Sequence, residues 1–268
     1  GVDFDIKIKL QPFLKYWLDE IEPFAHEERF FRAVKQPNAE YIVKEDFNPY
    51  IQELLHFHPG LDFLDGQEEF QKKYALTVVT RIFYRVNRSR SGKISLRELK
   101  NSNLIEQFMH VDEEVDINKV CDYFSYEHFY VLYCRFFELD SDRDLKLSRD
   151  DLLKFGEHSL SEAAVDRIFQ VGTRAFTDGK TTGDSSGQPV LTYPDFVYFF
   201  LSEEDKSTDV SLAYWFNCCD IDGDGVITPE DMRYFYKSQL HRVTSLGQDS
   251  VNFPDVLCQM MDLINPED

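Results

Sequence analysis

One loop, Asp220 to Asp231 (DIDGDGVITPED), leaves few options for the chain around it. Asp220, Asp222 and Asp224 alternate at loop positions 1, 3 and 5, a spacing that turns three carboxylates toward one point. Gly225 follows at position 6, where the backbone turns with positive φ and a Cβ is costly. Val226 at position 7 offers its backbone carbonyl, Ile227 at position 8 points into a core, and Thr228 at position 9 can hold a bridging water. Asp231 closes the loop at position 12, where Glu is usual; one methylene shorter, it predicts weaker Ca²⁺ binding or more tolerance of Mg²⁺. Oxygen donors of this kind suit those hard cations and not zinc or copper.

Both flanks carry helical patterns. Leu212, Trp215 and Phe216 recur at helical spacing upstream, as do Met232, Phe235, Tyr236 and Leu240 downstream. Helix, loop and helix in that order make an EF-hand. A second such loop is DSDRDLKLSRDD, Asp140 to Asp151. Asp140, Asp142 and Asp144 hold positions 1, 3 and 5, Lys146 offers its carbonyl, Leu147 stands at 8, Ser148 at 9 and Asp151 at 12. Position 6 is Leu145, and a left-handed Leu costs on the order of 1 kcal/mol. Arg143, Lys146 and Arg149 also dilute the negative field, so this loop is expected to bind calcium more weakly.

The hand recurs without its ligands. An apolar residue, three residues, an acid or its substitute, and then an apolar helix occur at 42, 94, 124, 147, 191, 227 and 251. NRSRSGKISLRE (87–98) keeps Gly92, Ile94 and Glu98 at positions 6, 8 and 12. Its ligand positions are Asn87, Ser89 and Ser91, interleaved with Arg88, Arg90 and Lys93: a metal-free hand. Ile42 and Asp46 end another such hand; Phe124 and His128 end a third, expected to pair with loop 87–98. Leu191 and Asp195 end the partner of loop 140–151, with weak ligand positions Asp184, Ser186 and Gln188 inside a Gly/Ser/Thr-rich stretch, 177–189, that reads as an inserted flexible loop. Val251 and Asp255 mark the degenerate neighbour of loop 220–231. Helices are expected over 10–34, bent or split at Pro23, and over 67–86, 126–139 and 161–176. The expected fold is all-α: tandem EF-hand-like helix-loop-helix pairs with short two-stranded sheets between paired loops. The expected division is an N-terminal region 1–86, a first lobe 87–202 and a second, C-terminally truncated lobe 203–268.

With 268 residues, 43% of them hydrophobic and 15% aromatic, the chain has enough apolar mass for a real core. A net charge of −20 argues against nucleic acid and anionic membranes as partners and fits a calcium binder. No apolar run is long enough to span a membrane. No signal peptide is visible, and a chain that starts at Gly1 without Met reads as a cut fragment. The five cysteines lack disulfide or metal-ligand spacing and read as reduced core residues of a cytosolic protein. His56 and His58 stand two apart before a Pro-Gly turn with no third ligand and read as loop residues. A metallophosphatase centre needs His and Asp clusters that the scattered seven His do not form. GDSSG (183–187) lacks the spacing and context of a nucleophile elbow. These observations oppose an enzyme and leave a calcium-tuned regulatory subunit or a stand-alone calcium sensor or cytoskeletal adaptor. Four Met are few for a promiscuous sensor groove.

RIFYRVNRSRSGKIS (81–95), DYFSYEHFYVLYCRFFELDSDRDL (122–145), YPDFVYFFLSEEDKS (193–207), YWFNCCDIDGDGV (214–226) and LCQMMDLINP (257–266) together resemble the B double-prime regulatory subunits of protein phosphatase 2A. The resemblance extends over most of the chain in constant order. It implies a non-catalytic, calcium-responsive subunit with two EF-hand lobes that docks on the phosphatase 2A scaffold and catalytic subunits and directs the choice of phosphoprotein substrates. Its calcium ligands map onto Asp140, Asp142, Asp144 and Asp151, and onto Asp220, Asp222, Asp224 and Asp231. The family continues on both sides of this segment, so part of the scaffold-binding region lies outside it. The expected location is the cytoplasm, with the nucleus or cytoskeleton as further sites.

Overall fold

A computed structural model describes residues 7–177, 183, 187–245 and 251–265. Asp184 and Ser186 lie outside the described residues, as does most of the stretch 177–189. Two compact units are present, residues 1–129 and 130–268. The helices in chain order are α1 (Leu10–Tyr16), α2 (His26–Val34), α3 (Asn48–Phe57), α4 (Glu68–Val86), α5 (Leu96–Lys100), α6 (Leu104–Glu113) and α7 (Tyr126–Leu139), within which the unit boundary falls. There follow α8 (Arg149–Leu152), α9 (Phe155–His158), α10 (Glu162–Val171), α11 (Tyr193–Glu204), α12 (Asp209–Cys219), α13 (Pro229–Ser245) and α14 (Phe253–Ile264). The all-α EF-hand expectation holds. Among the described residues no helix is long and apolar enough to cross a membrane.

The first unit is built on α4. Tyr74, Val78, Ile82 and Phe83 are fully buried along it, as their spacing predicts. Its polar side chains reach across to the segment before α7: Tyr74 Oη donates to Phe124 O at 2.6 Å, and buried Arg81 donates to the carbonyls of Tyr123 and Cys121. This changes the expected pairing of hands. With Phe124's carbonyl engaged by α4, the bridge partner of Ile94 is Ile42, through two mutual N–H to O bonds of 2.9 Å. Loop 87–98 therefore pairs with the N-terminal hand. The run 10–34 splits as Pro23 requires: a π-turn follows α1 through Ile21, and α2 begins at His26. Phe13 and Trp17 on this run are exposed. His58 is buried, its two ring nitrogens meeting Glu114 O and Gly60 N, a structural role.

In the second unit β1 (Lys146–Leu147) pairs antiparallel with β2 (Leu191–Thr192), Leu147 opposite Leu191, the partnership expected for loop 140–151. Phe136, Phe196 and Phe199 are buried beneath it. The helix expected over 161–176 stops at Val171. On α12 the buried face is Val210, Tyr214 and Cys218; Leu212 and Phe216 are exposed, so the apolar stripe selected by size is not the inward one. Trp215 keeps an inward anchor, its Nε1 donating to Ser202 O at 2.8 Å. Among the described residues no strand bridge joins loop 220–231 to Val251, which is 55% exposed; α14 meets α13 through Tyr236 and Phe253 instead. All five cysteines are free, but Cys121 and Cys258 are exposed and only Cys218 is buried. Burial, with Cys219 beside it, pushes the Cys218 thiol up to about 12.

Candidate metal centre

Four of the hands begin the exit helix with the same device. The hydroxyl at position 9 and the acid at position 12 bond reciprocally across the first turn: Ser95 with Glu98, Ser148 with Asp151, Thr192 with Asp195, and Thr228 with Asp231. Such caps stabilise a helix by about 1 kcal/mol. Thr228 Oγ1, expected to hold a water, donates to Asp231 Oδ2 at 2.6 Å.

The hands differ in what fills the loop. In 87–98 the Asn87 side chain is buried, and its Nδ2 lies 3.0 Å from Ser89 Oγ, 2.8 Å from Lys93 O and 3.1 Å from Glu98 Oε1, with Ser91 Oγ at 3.4 Å. Those are loop positions 3, 7, 12 and 5, the places a cation's ligands take. Gly92 N–H donates to Asn87 Oδ1 at 2.9 Å, which orients the amide and leaves its NH₂ facing the loop centre. Glu98 is partly buried, which raises its pKa, but the N–H groups and hydroxyls of Ser95 and Ser89 outweigh that and hold it below the ordinary value. Two other degenerate hands also satisfy their position-12 acids. Asp46 accepts from Gln36 Nε2 at 2.6 Å, and buried Asp195 faces the Arg174 guanidinium at 3.9 Å.

Loops 140–151 and 220–231 have no such internal donor. The carboxylate oxygens of Asp140, Asp142 and Asp144 lie within 4.8 Å of one another, as do those of Asp220, Asp222 and Asp224; position 1 is buried in each and the other two are exposed. Backbone amides aim them. Asp140 Oδ2 accepts from Leu145 N at 3.1 Å and Asp220 Oδ2 from Gly225 N at 2.9 Å, while Lys146 N and Val226 N each donate at 2.8 Å to the position-5 carboxylate. Burial pushes the Asp140 carboxyl above its ordinary value, and Asp142 and Asp144 add to that against the Leu145 N–H. Among the described residues no Lys or Arg pairs with these six carboxylates. Converged oxygen donors, net negative and without an internal counter-charge, fit a hard divalent cation.

Asp151 and Asp231 stand outside the three-carboxylate clusters. Asp231 is buried; its Oδ1 accepts from Ile221 N at 3.0 Å, and Thr228 keeps its pKa low. Asp151 Oδ1 instead meets Lys154 Nζ at 3.0 Å. The backbone separates the loops further. Both turn through positive φ at positions 4 and 6, which are Gly223 (74°) and Gly225 (87°) in one but Arg143 (60°) and Leu145 (65°) in the other. The sequence signal at position 4 is the Gly223–Arg143 contrast.

Family models for an EF-hand domain and an EF-hand domain pair match residues 25–114 and 129–237. The chain is 48% identical over 262 residues to a probable B''delta regulatory subunit of serine/threonine protein phosphatase 2A from Arabidopsis thaliana, covering 97% of this chain and 48% of that protein. It is 44% identical over 238 residues to the beta form of the B'' regulatory subunits of serine/threonine-protein phosphatase 2A from Homo sapiens, covering 89% of this chain and 40% of that one. A chain of a solved structure described as a PP2A PR70 holoenzyme, and marked diCa, matches with a TM-score of 0.80 at 42% identity, over 91% of this chain and 87% of that chain. The chain spans about half the length of the curated relatives it matches.

Proposed function

Because the chain belongs to the B'' family of protein phosphatase 2A regulatory subunits, we propose that it is a calcium-binding, non-catalytic subunit that docks on the scaffold and catalytic subunits and directs them to phosphoprotein substrates. The observation that carries the calcium half is the pair of converged Asp triads without internal counter-charge. Asp220, Asp222, Asp224, the Val226 carbonyl and Asp231 would hold one ion; Asp140, Asp142, Asp144, the Lys146 carbonyl and Asp151 would hold the other. A bound Ca²⁺ supplies the positive charge each triad lacks. The chain's own part is to aim the carboxylates through backbone amides and to tie each loop to its exit helix through the position-9 cap. Regulation follows if the ion changes how these helices are held, and with them the docking surface. The free cysteines support a reducing compartment, cytoplasm or nucleus.

Calorimetry on this chain, repeated with Asp220→Ala and with Asp140→Ala, tests the ion sites: two binding events are expected, each lost with its own substitution. No heat at millimolar calcium would remove the regulatory half of the reading. Capture of the scaffold subunit by a full-length version, with and without calcium, tests the docking half. Cytoskeletal proteins in place of phosphatase would favour a stand-alone adaptor.

A further inference from the structure

We propose that α10 links the two calcium loops of the second unit, so that filling loop 140–151 tightens loop 220–231; this rests on the calcium reading above. The link has two guanidinium ends on neighbouring positions of one helix. At the first end, Arg149 is position 10 of loop 140–151. Its Nε donates to Asp166 Oδ1 at 2.5 Å and its Nη2 to Glu162 Oε2 at 3.2 Å, both acceptors on α10. At the second end, Arg167 of α10 is buried and faces the C-terminus of α12, the helix that enters loop 220–231. Its Nε donates to Cys218 O at 2.9 Å, its Nη2 to Asn217 O at 3.1 Å and to Asp220 O at 2.5 Å, and its Nη1 to Gln170 Oε1 at 3.3 Å.

Asp220 is the position-1 ligand residue. The next N–H, that of Ile221, holds Asp231 Oδ1. Arg167 therefore grips the backbone carbonyl of the first acid, next to the N–H that holds the last acid of the loop. A cation against orphan helix-end carbonyls is a favourable placement, and here it is desolvated. A helix of this length is a stiff rod, and α10 packs against α8, α12 and α13, which leave the first loop and enter and leave the second.

The direction of the effect follows. An ion in loop 140–151 draws its acids inward, so Arg149 and α8 lose freedom, and α10 loses it with them. Arg167 is then already placed when the second loop closes, and less ordering remains for the second ion. Arg149 is exposed at one face, and exposed pairs contribute little. The packing of α10 and the buried Arg167 carry most of the effect. Neither arginine ligates the metal; both are positioning residues.

The test is a cycle of calcium titrations followed by calorimetry on the whole chain. Disabling the first loop with Asp140→Ala is expected to weaken loop 220–231 roughly fivefold, at the low end of measured couplings. In a background carrying Asp166→Ala, which removes the Arg149 partner at a half-exposed position, the same Asp140→Ala change is expected to cost markedly less. Arg167→Lys, which keeps the charge and loses the fork, is expected to weaken loop 220–231 and to shrink the coupling. A second readout needs no binding at loop 220–231. In Asp220→Ala with Trp17→Phe, Trp215 on α12 is the remaining tryptophan, and calcium at the first loop is expected to shift its emission, less so with Asp166→Ala. Loop 220–231 affinity unchanged by Asp140→Ala, together with silent Trp215 emission, overturns the coupling while leaving two calcium sites. No calcium heat in either loop overturns the calcium reading and the coupling together.

Discussion

Loops 87–98 and 220–231 share a frame and resolve its central problem in opposite ways. Both turn through glycine at position 6, both cap the exit helix with a hydroxyl and an acid, and both aim oxygens at one point. In 87–98 the chain fills that point with the Asn87 NH₂, a neutral donor with acceptors at positions 3, 5, 7 and 12. In 220–231 it places a third carboxylate there and leaves the charge open. In these two loops the residue at position 1 sets what the centre meets: an amide donor in one, a carboxylate in the other. Loop 140–151 belongs with the second kind, but it carries two non-glycine residues in the left-handed region.

Exchanging the amide and the carboxylate is the strongest way to break this contrast. Asp220→Asn should put an internal donor into loop 220–231 and lower its calcium affinity at least ~100-fold, about 2.7 kcal/mol, without lowering stability in chelator. Retained affinity by calorimetry would mean that an amide there does not stand in for the ion. The reciprocal Asn87→Asp removes the donor and sets a carboxylate against Glu98. Urea unfolding in chelator should show a loss of about 2 kcal/mol from the first unit, the cost of buried acceptors left unpaired. An unchanged midpoint would make Asn87 a bystander.

A smaller effect separates the two loops that carry Asp triads. Leu145→Gly should relieve about 1 kcal/mol of left-handed strain and tighten calcium at loop 140–151 roughly fivefold. Leu145 is 48% exposed, so little burial is lost. Unchanged affinity would assign the weakness to Arg143, Lys146 and Arg149. The smallest effect is a titration. Glu98 sits below its ordinary value of 4.5, so its contribution to stability is present above that value and is lost as pH falls through the depressed one. Side-chain NMR should show Glu98 titrating below 4.5, and moving up in Ser89→Ala, which deletes a hydroxyl donor. A midpoint above 4.5 would contradict the hydrogen-bonded picture of that loop.

Much of this was legible in the residues. The Asp-x-Asp-x-Asp runs at 140 and 220 are local, and local spacing is what places side chains around a tight loop. The apolar-to-acid repeat was also legible, though what it encodes is the start of a helix: Thr192 with Asp195 caps its exit helix as Thr228 with Asp231 does. What escaped reading is long-range. The partner of Ile94 depends on Tyr74 and Arg81 engaging the carbonyls around Phe124. The function of Asn87 depends on which way its amide faces, and Gly92 decides that through space. Arg167 finds its acceptors some fifty residues away, at the end of another helix. The inward face of α12 is drawn by Tyr214 and Cys218 beside a small Ser211, and reading by side-chain bulk selects Leu212 and Phe216 instead.

The amide at the centre of loop 87–98 also bears on descent. Asparagine and aspartate codons differ by one base, so Asn87 is a single substitution from a loop whose remaining oxygens, from Ser89, Ser91, Lys93 and Glu98, already surround its centre. The step is reversible in the same way for Asp220. One base at position 1 therefore changes what occupies the centre of the loop, while the capped exit helix is common to both kinds.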